Sequence, residues 1–321
     1  STAHFSCCAA KTQRCFSPSI KGSEPMTKTL TVFFRYLCKD ERKSQKNSRT
    51  LRQRIIRQAA ILHLVSVMIT LGGPFAPTQA QTIEPQATPY RPTLSNPAQL
   101  SAAGYVEMEM GWQSLKEKAV DDYRHTIPYL FKLAFSEYVG LLIGGDAVIV
   151  NDFNQGSTLA GFGDLTPVLK LNVPLPSQPA SALGLEIGTK LPTAPQTIGS
   201  QQTDYLVTGI YSISMGALGI DLNLGYTRLG GAPGGEGKNQ LFWAASTAYG
   251  LTGRWSVAGE LAGTVRQDVK PFTQFLTSTS YYLTPRLVGD AGAAFGLNGA
   301  SQEWTLFAGM TILLGKVWDA N

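Results

Sequence analysis

Apolar and polar residues alternate with a period of two along the chain from Tyr105 onward. In residues 219–227, Ile220, Leu222, Leu224 and Tyr226 fall on one face, and Gly, Asp, Asn and Thr fall on the other. Residues 181–191 and 304–314 repeat this scheme. A period of two is that of a β-strand. An apolar face beside a polar, glycine-rich face is typical of a strand between lipid and an aqueous lumen.

Twelve segments of this kind can be counted. Their centres lie near residues 108, 131, 144, 167, 186, 209, 223, 244, 260, 277, 291 and 309. Several are long enough to cross a bilayer when tilted, which takes about 9–11 residues, whereas strands of globular proteins average about 5–6 residues. The pattern predicts an all-β protein, namely a transmembrane antiparallel up-and-down β-barrel of about 12 strands over residues 105–316.

The links between these segments alternate in length. The short ones are Ser136–Glu137, Pro176–Ala180, Met215–Ala217, Gly250–Gly253 and Leu283–Pro285. The long ones include Gln113–His125, Asn151–Ala160, Pro192–Thr203 and Gly230–Lys238, while the last, around Asn298, is itself short. Short turns facing the periplasm and longer loops facing outside are expected of such a barrel. Both chain termini are then expected in the periplasm.

The residues before the barrel have a different composition. Residues 1–80 contain 13 of the 27 Lys and Arg residues and 3 of the 22 Asp and Glu residues, a net charge of +10, so residues 81–321 carry a net charge of −5. A basic stretch at 26–58, an apolar run at 59–73 and Thr78-Gln79-Ala80 predict a signal peptide at 26–80 that is cleaved on export. Residues 1–25 are interpreted as sequence upstream of a true start at Met26.

Residues 81–104 are rich in Pro, Thr and Gln. This composition resists both helix and sheet, and it predicts a flexible periplasmic segment. The sequence leaves open whether residues 81–103 or a loop plugs the lumen.

Composition narrows the class further. Charged residues make up 15% of the chain, against about 25% in soluble domains, and no apolar run of 18 residues follows the leader. All four cysteines precede residue 81, which suits passage through an oxidising compartment. The acidic net charge after residue 80 and the absence of a basic run there argue against nucleic-acid binding.

Several segments resemble one known family. They are Gly161–Lys170 (GFGDLTPVLK), Ala182–Thr193 (ALGLEIGTKLPT), Thr203–Tyr205, and the turns Tyr249–Arg254 and Tyr282–Arg286, which repeat a Leu-Thr-x-Arg pattern. Together they resemble the outer-membrane transporter-like family named for the MetA pathway of phenol degradation, over about residues 105–315. The resemblance implies a barrel of about this strand number that acts as a transporter. One departure is the end of the chain, where Trp318 is followed by Asp319-Ala320-Asn321 rather than closing on an aromatic residue.

Catalytic chemistry has little support. His125 is the single histidine after the leader, so a hydrolase would have to be built on it. A solvated loop histidine is the favoured interpretation. No second His or Cys is present there to form a clustered metal site, and the glycine-rich residues 230–237 lack the Lys and hydroxyl pair of a phosphate-binding loop. We therefore expect no enzyme activity, no cofactor and no metal.

The alternation also predicts a set of charged side chains in the lumen. Its acidic members are Glu107, Glu109, Asp164, Glu186, Asp221, Glu260 and Asp290, and its basic members are Lys132, Lys170 and Lys190. A turn centred on residue 178 places Lys170 directly opposite Glu186, within contact distance. We interpret the set as a charged ladder with an acidic excess, which favours cations if the pore is open. The same ladder can instead fill a narrow, closed interior.

These observations predict passive passage of small solutes across the outer membrane of a Gram-negative-type bacterium. The family label implies aromatic compounds as the solute class. The alternative is a structural or surface-interaction barrel that acts through its external loops. The expected partners are outer-membrane lipid, a small-molecule solute, and the export and barrel-assembly machinery.

Overall fold

A computed structural model describes residues 85–118, 122–153, 156–178, 180–231 and 236–319. The predicted signal peptide at 26–80 and the upstream residues 1–25 lie outside the described residues. No helix in the described part of the chain is long and apolar enough to cross a membrane.

Thirteen strands form one antiparallel sheet. They are β1 (Tyr105–Lys116), β2 (Tyr123–Ala134), β3 (Val139–Asp152), β4 (Thr158–Gly161), β5 (Thr166–Pro174), β6 (Ser181–Lys190), β7 (Asp204–Met215), β8 (Leu218–Arg228), β9 (Asn239–Gly250), β10 (Trp255–Arg266), β11 (Phe272–Thr284), β12 (Leu287–Gly296) and β13 (Trp304–Lys316). Apart from β4, which pairs only with β3, each strand pairs with the next one along the chain, and β1 pairs with β13, so twelve strands close into a barrel. The predicted up-and-down barrel of twelve strands is confirmed, since each predicted centre falls inside one of these strands.

The sequence does not predict β4, which lies in a stretch that is expected to be an external loop. β3 is 14 residues long and pairs with two strands on one side. Its first residues, 139–144, pair with β5, and its last residues, 149–152, pair with β4. β4 therefore extends one external hairpin above the barrel wall and adds no strand to the closed ring.

The barrel has an apolar exterior and a polar interior. On β8, Leu224 is 66% exposed whereas its neighbour Asn223 is 5% exposed. On β13, Leu306, Met310 and Leu314 are exposed while Thr305 and Thr311 are buried. A soluble protein rarely exposes large contiguous apolar patches. The outer surface is therefore the lipid-facing side of a transmembrane barrel.

Connections at the two ends differ as predicted. The β7–β8 and β11–β12 connections are two residues long, and those between β2 and β3 and between β9 and β10 are four residues long. The described chain begins and ends at this short-turn end, where Val317 N donates a hydrogen bond to Gly104 O at 2.8 Å and the Trp318 ring stacks on Phe135. The short-turn end is the periplasmic end, and the longer loops are external.

Candidate functional site: a chain segment bound in the lumen

Residues 87–103, here called the lumenal segment, lie inside the barrel. The segment begins at the periplasmic turn between β11 and β12, where Ala87 N donates to Pro285 O at 2.9 Å. It ends at the periplasmic end of β2, where Gly104 N donates to Ala134 O at 2.9 Å. The chain thus enters and leaves by the same end. The sequence predicts a flexible periplasmic segment at 81–104 and leaves open that this stretch plugs the lumen. Its described part fills the lumen as a plug.

Carboxylates of the barrel wall bind the backbone of this segment. Thr88 N donates to Glu107 at 2.9 Å, and Tyr90 N and Arg91 N donate to Glu109 at 2.6 and 3.1 Å. Across the lumen, the backbone N–H groups of residues 94 and 95 donate to Glu260 at 3.0 and 2.7 Å. A buried segment without helix or sheet needs partners for its backbone donors. The acidic ladder supplies them.

Two buried lysines hold the Tyr90 ring between them. Lys132 Nζ and Lys170 Nζ each lie 4.0 Å from the ring centroid. Lys132 also contacts Glu107 and Glu109, and Lys170 lies 2.9 Å from Glu186. Cation–π contacts strengthen when both groups are removed from water. Tyr90 is therefore the central side-chain anchor of the lumenal segment.

The lysines also bind carbonyl oxygens of the segment itself. Lys132 Nζ donates to Thr88 O at 2.5 Å, and Lys170 Nζ donates to Pro97 O at 2.6 Å. Lys170 pairs with Glu186 between β5 and β6, at the register that a turn centred on residue 178 requires. Each ammonium group thus bridges a wall carboxylate and the bound backbone.

Arg91 forms a bidentate ion pair across the lumen. Its Nε and Nη2 atoms donate to Asp290 at 3.2 and 3.1 Å. Gly111 and Gly309 face the guanidinium so closely that a Cβ atom at either position would come within 2.6 Å of it. The two glycines make the space that the arginine occupies, and a fork-to-carboxylate pair fixes its orientation.

The far arm of the segment is held by amide and hydroxyl groups. Asn96 donates to Glu186 at 2.9 Å and exchanges two hydrogen bonds of 2.9 Å with Asn223. Ala98 N donates to Ser212 Oγ at 2.8 Å, and that hydroxyl donates to Asp221 at 2.5 Å. Eight different strands therefore bind residues 88–98, namely β1, β2, β5, β6, β7, β8, β10 and β12.

Asp164 and Lys190 lie elsewhere, at the external end of the barrel. Lys190 Nζ lies 2.8 Å from Asp204 and 3.3 Å from Asp164, and Asp164 accepts a hydrogen bond from Ala194 N at 2.9 Å. They fasten the external loop between β6 and β7. Of the ten residues predicted for the lumen, seven contact the lumenal segment, and Asp221 is joined to it through the Ser212 hydroxyl.

Sequence reasoning missed the segment's own anchors, Tyr90, Arg91 and Asn96. They lie in a stretch without hydrophobic period, so the pattern carries no signal for their position. The one signal in the sequence is that the predicted lumen-facing carboxylates outnumber the lysines, so hydrogen-bond donors from another part of the chain are needed. With Arg91 included, the periplasmic half of the lumen holds six carboxylates and three cations among the described residues, at positions 107, 109, 186, 221, 260 and 290 against 91, 132 and 170.

A cavity of about 180 Å³ lies against the lumenal segment. Its lining includes the polar residues Arg91, Asn96 and Glu109 and the apolar residues Pro128 and Leu130 of β2. This mixed lining suits a small solute with an apolar part and a hydrogen-bonding group.

The remaining histidine is at the external rim. His125 Nε2 lies 3.7 Å from Asp152, and its ring stacks on Tyr123 at 6.4 Å between centroids. Within the described ranges no hydroxyl group hydrogen-bonds to His125, and no cluster of three His, Cys, Asp or Glu residues is arranged to hold a metal ion.

Comparison with known proteins rests on structure. No family model matches the chain, and no curated protein sequence matches it. The COG4313 outer membrane channel from Pseudomonas putida F1 is similar with a TM-score of 0.56 and 13% identity, over 74% of this chain and 100% of that one. The NanC porin is similar with a TM-score of 0.48 and 12% identity, over 65% of this chain and 100% of that one. At this level of identity the first likeness shows a shared barrel fold.

Proposed function

We propose that this protein is an outer-membrane channel of a Gram-negative-type bacterium for passive passage of small solutes, with the lumenal segment as its plug. The observation that carries the proposal is the polar, charged lumen occupied by a segment that hydrogen bonds, ion pairs and cation–π contacts hold in place. The interior of a small closed barrel can be filled by side chains of the wall strands alone, without a separate chain segment. Here a separate segment is bound by charged wall residues through noncovalent contacts, so it can leave the lumen and open a channel.

The solute class that we propose is small aromatic compounds bearing a polar group. The cavity of about 180 Å³ beside Tyr90 is similar in size to the roughly 150 Å³ apolar cavities that take up benzene. Its polar lining residues can bind a hydroxyl or carboxyl group while Leu130 and Pro128 contact the ring. The resemblance to the transporter family of phenol degradation supports the same class.

A second candidate is a closed barrel that acts through its external loops. It is favoured by the density of contacts between the segment and the wall, since Tyr90 is 3% exposed and Glu107 and Lys132 are 0% exposed. The two candidates differ in whether the segment ever leaves the lumen.

Ion conductance of the purified protein in planar bilayers tests the proposal. We expect small or rare channel steps for the unmodified chain and large, stable steps for a variant lacking residues 87–100. The double variant Tyr90→Ala/Arg91→Ala should open more often than the unmodified protein. Leu94→Ala is the matched control, because Leu94 belongs to the same segment but its side chain is 48% exposed.

Folding of each variant is checked by its mobility in unboiled and boiled gel samples. A folded deletion variant that stays silent overturns the channel proposal and supports the closed barrel. The solute class is tested on the unmodified protein, which keeps the cavity. Channel steps that small aromatic compounds leave unchanged would reject the solute class and leave the channel proposal standing.

A further inference from the structure

Two periplasmic turns repeat the sequence Leu-Thr-x-Arg, at Leu251–Arg254 and Leu283–Arg286. Both use the threonine hydroxyl as a local acceptor. Thr252 Oγ1 accepts from the backbone N–H groups of Arg254 and Trp255 at 3.3 and 3.0 Å, and Thr284 Oγ1 accepts from Arg286 N at 3.2 Å. Each turn therefore fixes an exposed leucine next to an exposed arginine at the membrane surface.

An apolar groove of about 510 Å³ lies on the lipid-facing wall beside these turns. Its floor is formed by the small residues Gly289 and Ala291 of β12, and Trp255 and Tyr281 form one wall. Leu283 of the second repeated turn lines the same groove. Because these side chains point away from the lumen, the groove opens into the bilayer, where lipid is its neighbour.

Among the described residues neither Arg254 nor Arg286 lies within ion-pair distance of a carboxylate. Arg286 is held in place by hydrogen bonds to the carbonyl oxygens of Leu313 and Leu314 at 3.2 and 3.0 Å. Strands lie about 4.8 Å apart, so β10 and β12 place the two turns about 10 Å from each other.

We propose that this groove binds one anionic phospholipid of the inner leaflet. One acyl chain lies along Gly289 and Ala291 against Trp255 and Tyr281, and the phosphate is bound by Arg254 and Arg286. Guanidinium groups suit phosphate oxygens, and indole and phenol rings favour the level of the headgroups. The charge of the turns matches the headgroup, and the apolar lining matches the chain.

Native mass spectrometry of the protein, purified from outer membranes of cells that express the full chain, tests this proposal. The probe is phosphatidylglycerol, with phosphatidylcholine of identical acyl chains as the uncharged comparison. We expect one phosphatidylglycerol to be retained in preference. Each arginine near the membrane surface contributes about fivefold in affinity, so Arg254→Gln/Arg286→Gln should lose about 25-fold for phosphatidylglycerol.

Two further variants separate the parts of the site. Gly289→Leu should reduce retention of both lipids, because it fills the floor of the groove at a position where an added Cβ atom meets only Leu283, at 3.9 Å. Arg228→Gln is the matched control, an exposed arginine at the external end of β8. Unchanged binding in the double arginine variant, unchanged binding in Gly289→Leu, or equal retention of the two lipids by the unmodified protein overturns the proposal.

Discussion

At the scale of single residues, the absence of a side chain matters as much as its presence. Gly111 and Gly309 lie on facing strands β1 and β13, and both contact the Arg91 guanidinium. Alternation alone marks these glycines as members of the polar face. The Arg91 guanidinium excludes a side chain at Gly111, and at Gly309 it does so together with the backbone oxygen of Met110.

Gly111→Ala should loosen the plug without unfolding the barrel. The new methyl group would lie 2.6 Å from the arginine headgroup, which is the far end of a flexible side chain and can move. Because Arg91 then loses its bidentate pair with Asp290, we expect more frequent opening in single-channel recordings. Gly219→Ala is the control, since no atom lies within 4 Å of an added Cβ at that position. Equal opening of the two variants would contradict the role assigned to Gly111.

The buried pair Lys170–Glu186 gives a second prediction. Removing one member leaves a charge without its partner inside the barrel, which usually costs about 3–5 kcal/mol. We expect Lys170→Met to lower the free energy of unfolding, measured in detergent with urea, by about this amount. Lys170→Met/Glu186→Leu should recover part of the loss, because the orphaned carboxylate is gone. A double variant that is no more stable than the single one would show that Glu186 is stabilised by Asn96 alone.

At the scale of elements, the sequence predicts the strands and misses the plug. The sequence of a strand such as β8 is enough to predict it, because lipid-facing and lumen-facing residues alternate along the strand. The turn after β5 likewise determines the register that joins Lys170 to Glu186. The conformation of residues 87–103 depends on acceptors contributed by wall strands far away in sequence, as with Glu260 and Leu94, 166 residues apart. No local pattern encodes such contacts.

Since its anchors are noncovalent, the lumenal segment should also bind as a separate peptide. We expect a synthetic peptide of residues 85–103 to block the channel of the variant lacking residues 87–100 when it is added on the periplasmic side. A peptide with Tyr90→Ala and Arg91→Ala should block at least tenfold less well, because the loss of about 1.4 kcal/mol already gives a factor of ten. If the peptide blocked the channel only from the external side, its binding site would not open to the periplasm, and the prediction would be wrong.

At the scale of the whole molecule, the distribution of polarity is that of a soluble protein reversed. Exposed leucine and aromatic side chains cover the outside, while Glu, Lys and Asn side chains are buried inside. Burial of a charge is costly unless it is paired and hydrogen-bonded. The lumenal segment lowers this cost by adding one guanidinium and a row of backbone N–H groups to an interior with an acidic excess.

Removal of the segment should therefore make the channel cation-selective. Without Arg91, six wall carboxylates face two lysines in the periplasmic half, and a ring of acidic side chains favours cations. We expect the variant lacking residues 87–100 to show a reversal potential on the cation side in a KCl gradient, and Glu186→Gln/Glu260→Gln in that background to reduce it. Asp268→Asn is the control, because Asp268 lies in an exposed external turn, and charges beyond about 8–10 Å from the constriction are screened by salt. Anion preference in the deletion variant would mean that Lys132 and Lys170, rather than the carboxylates, face the permeating ion.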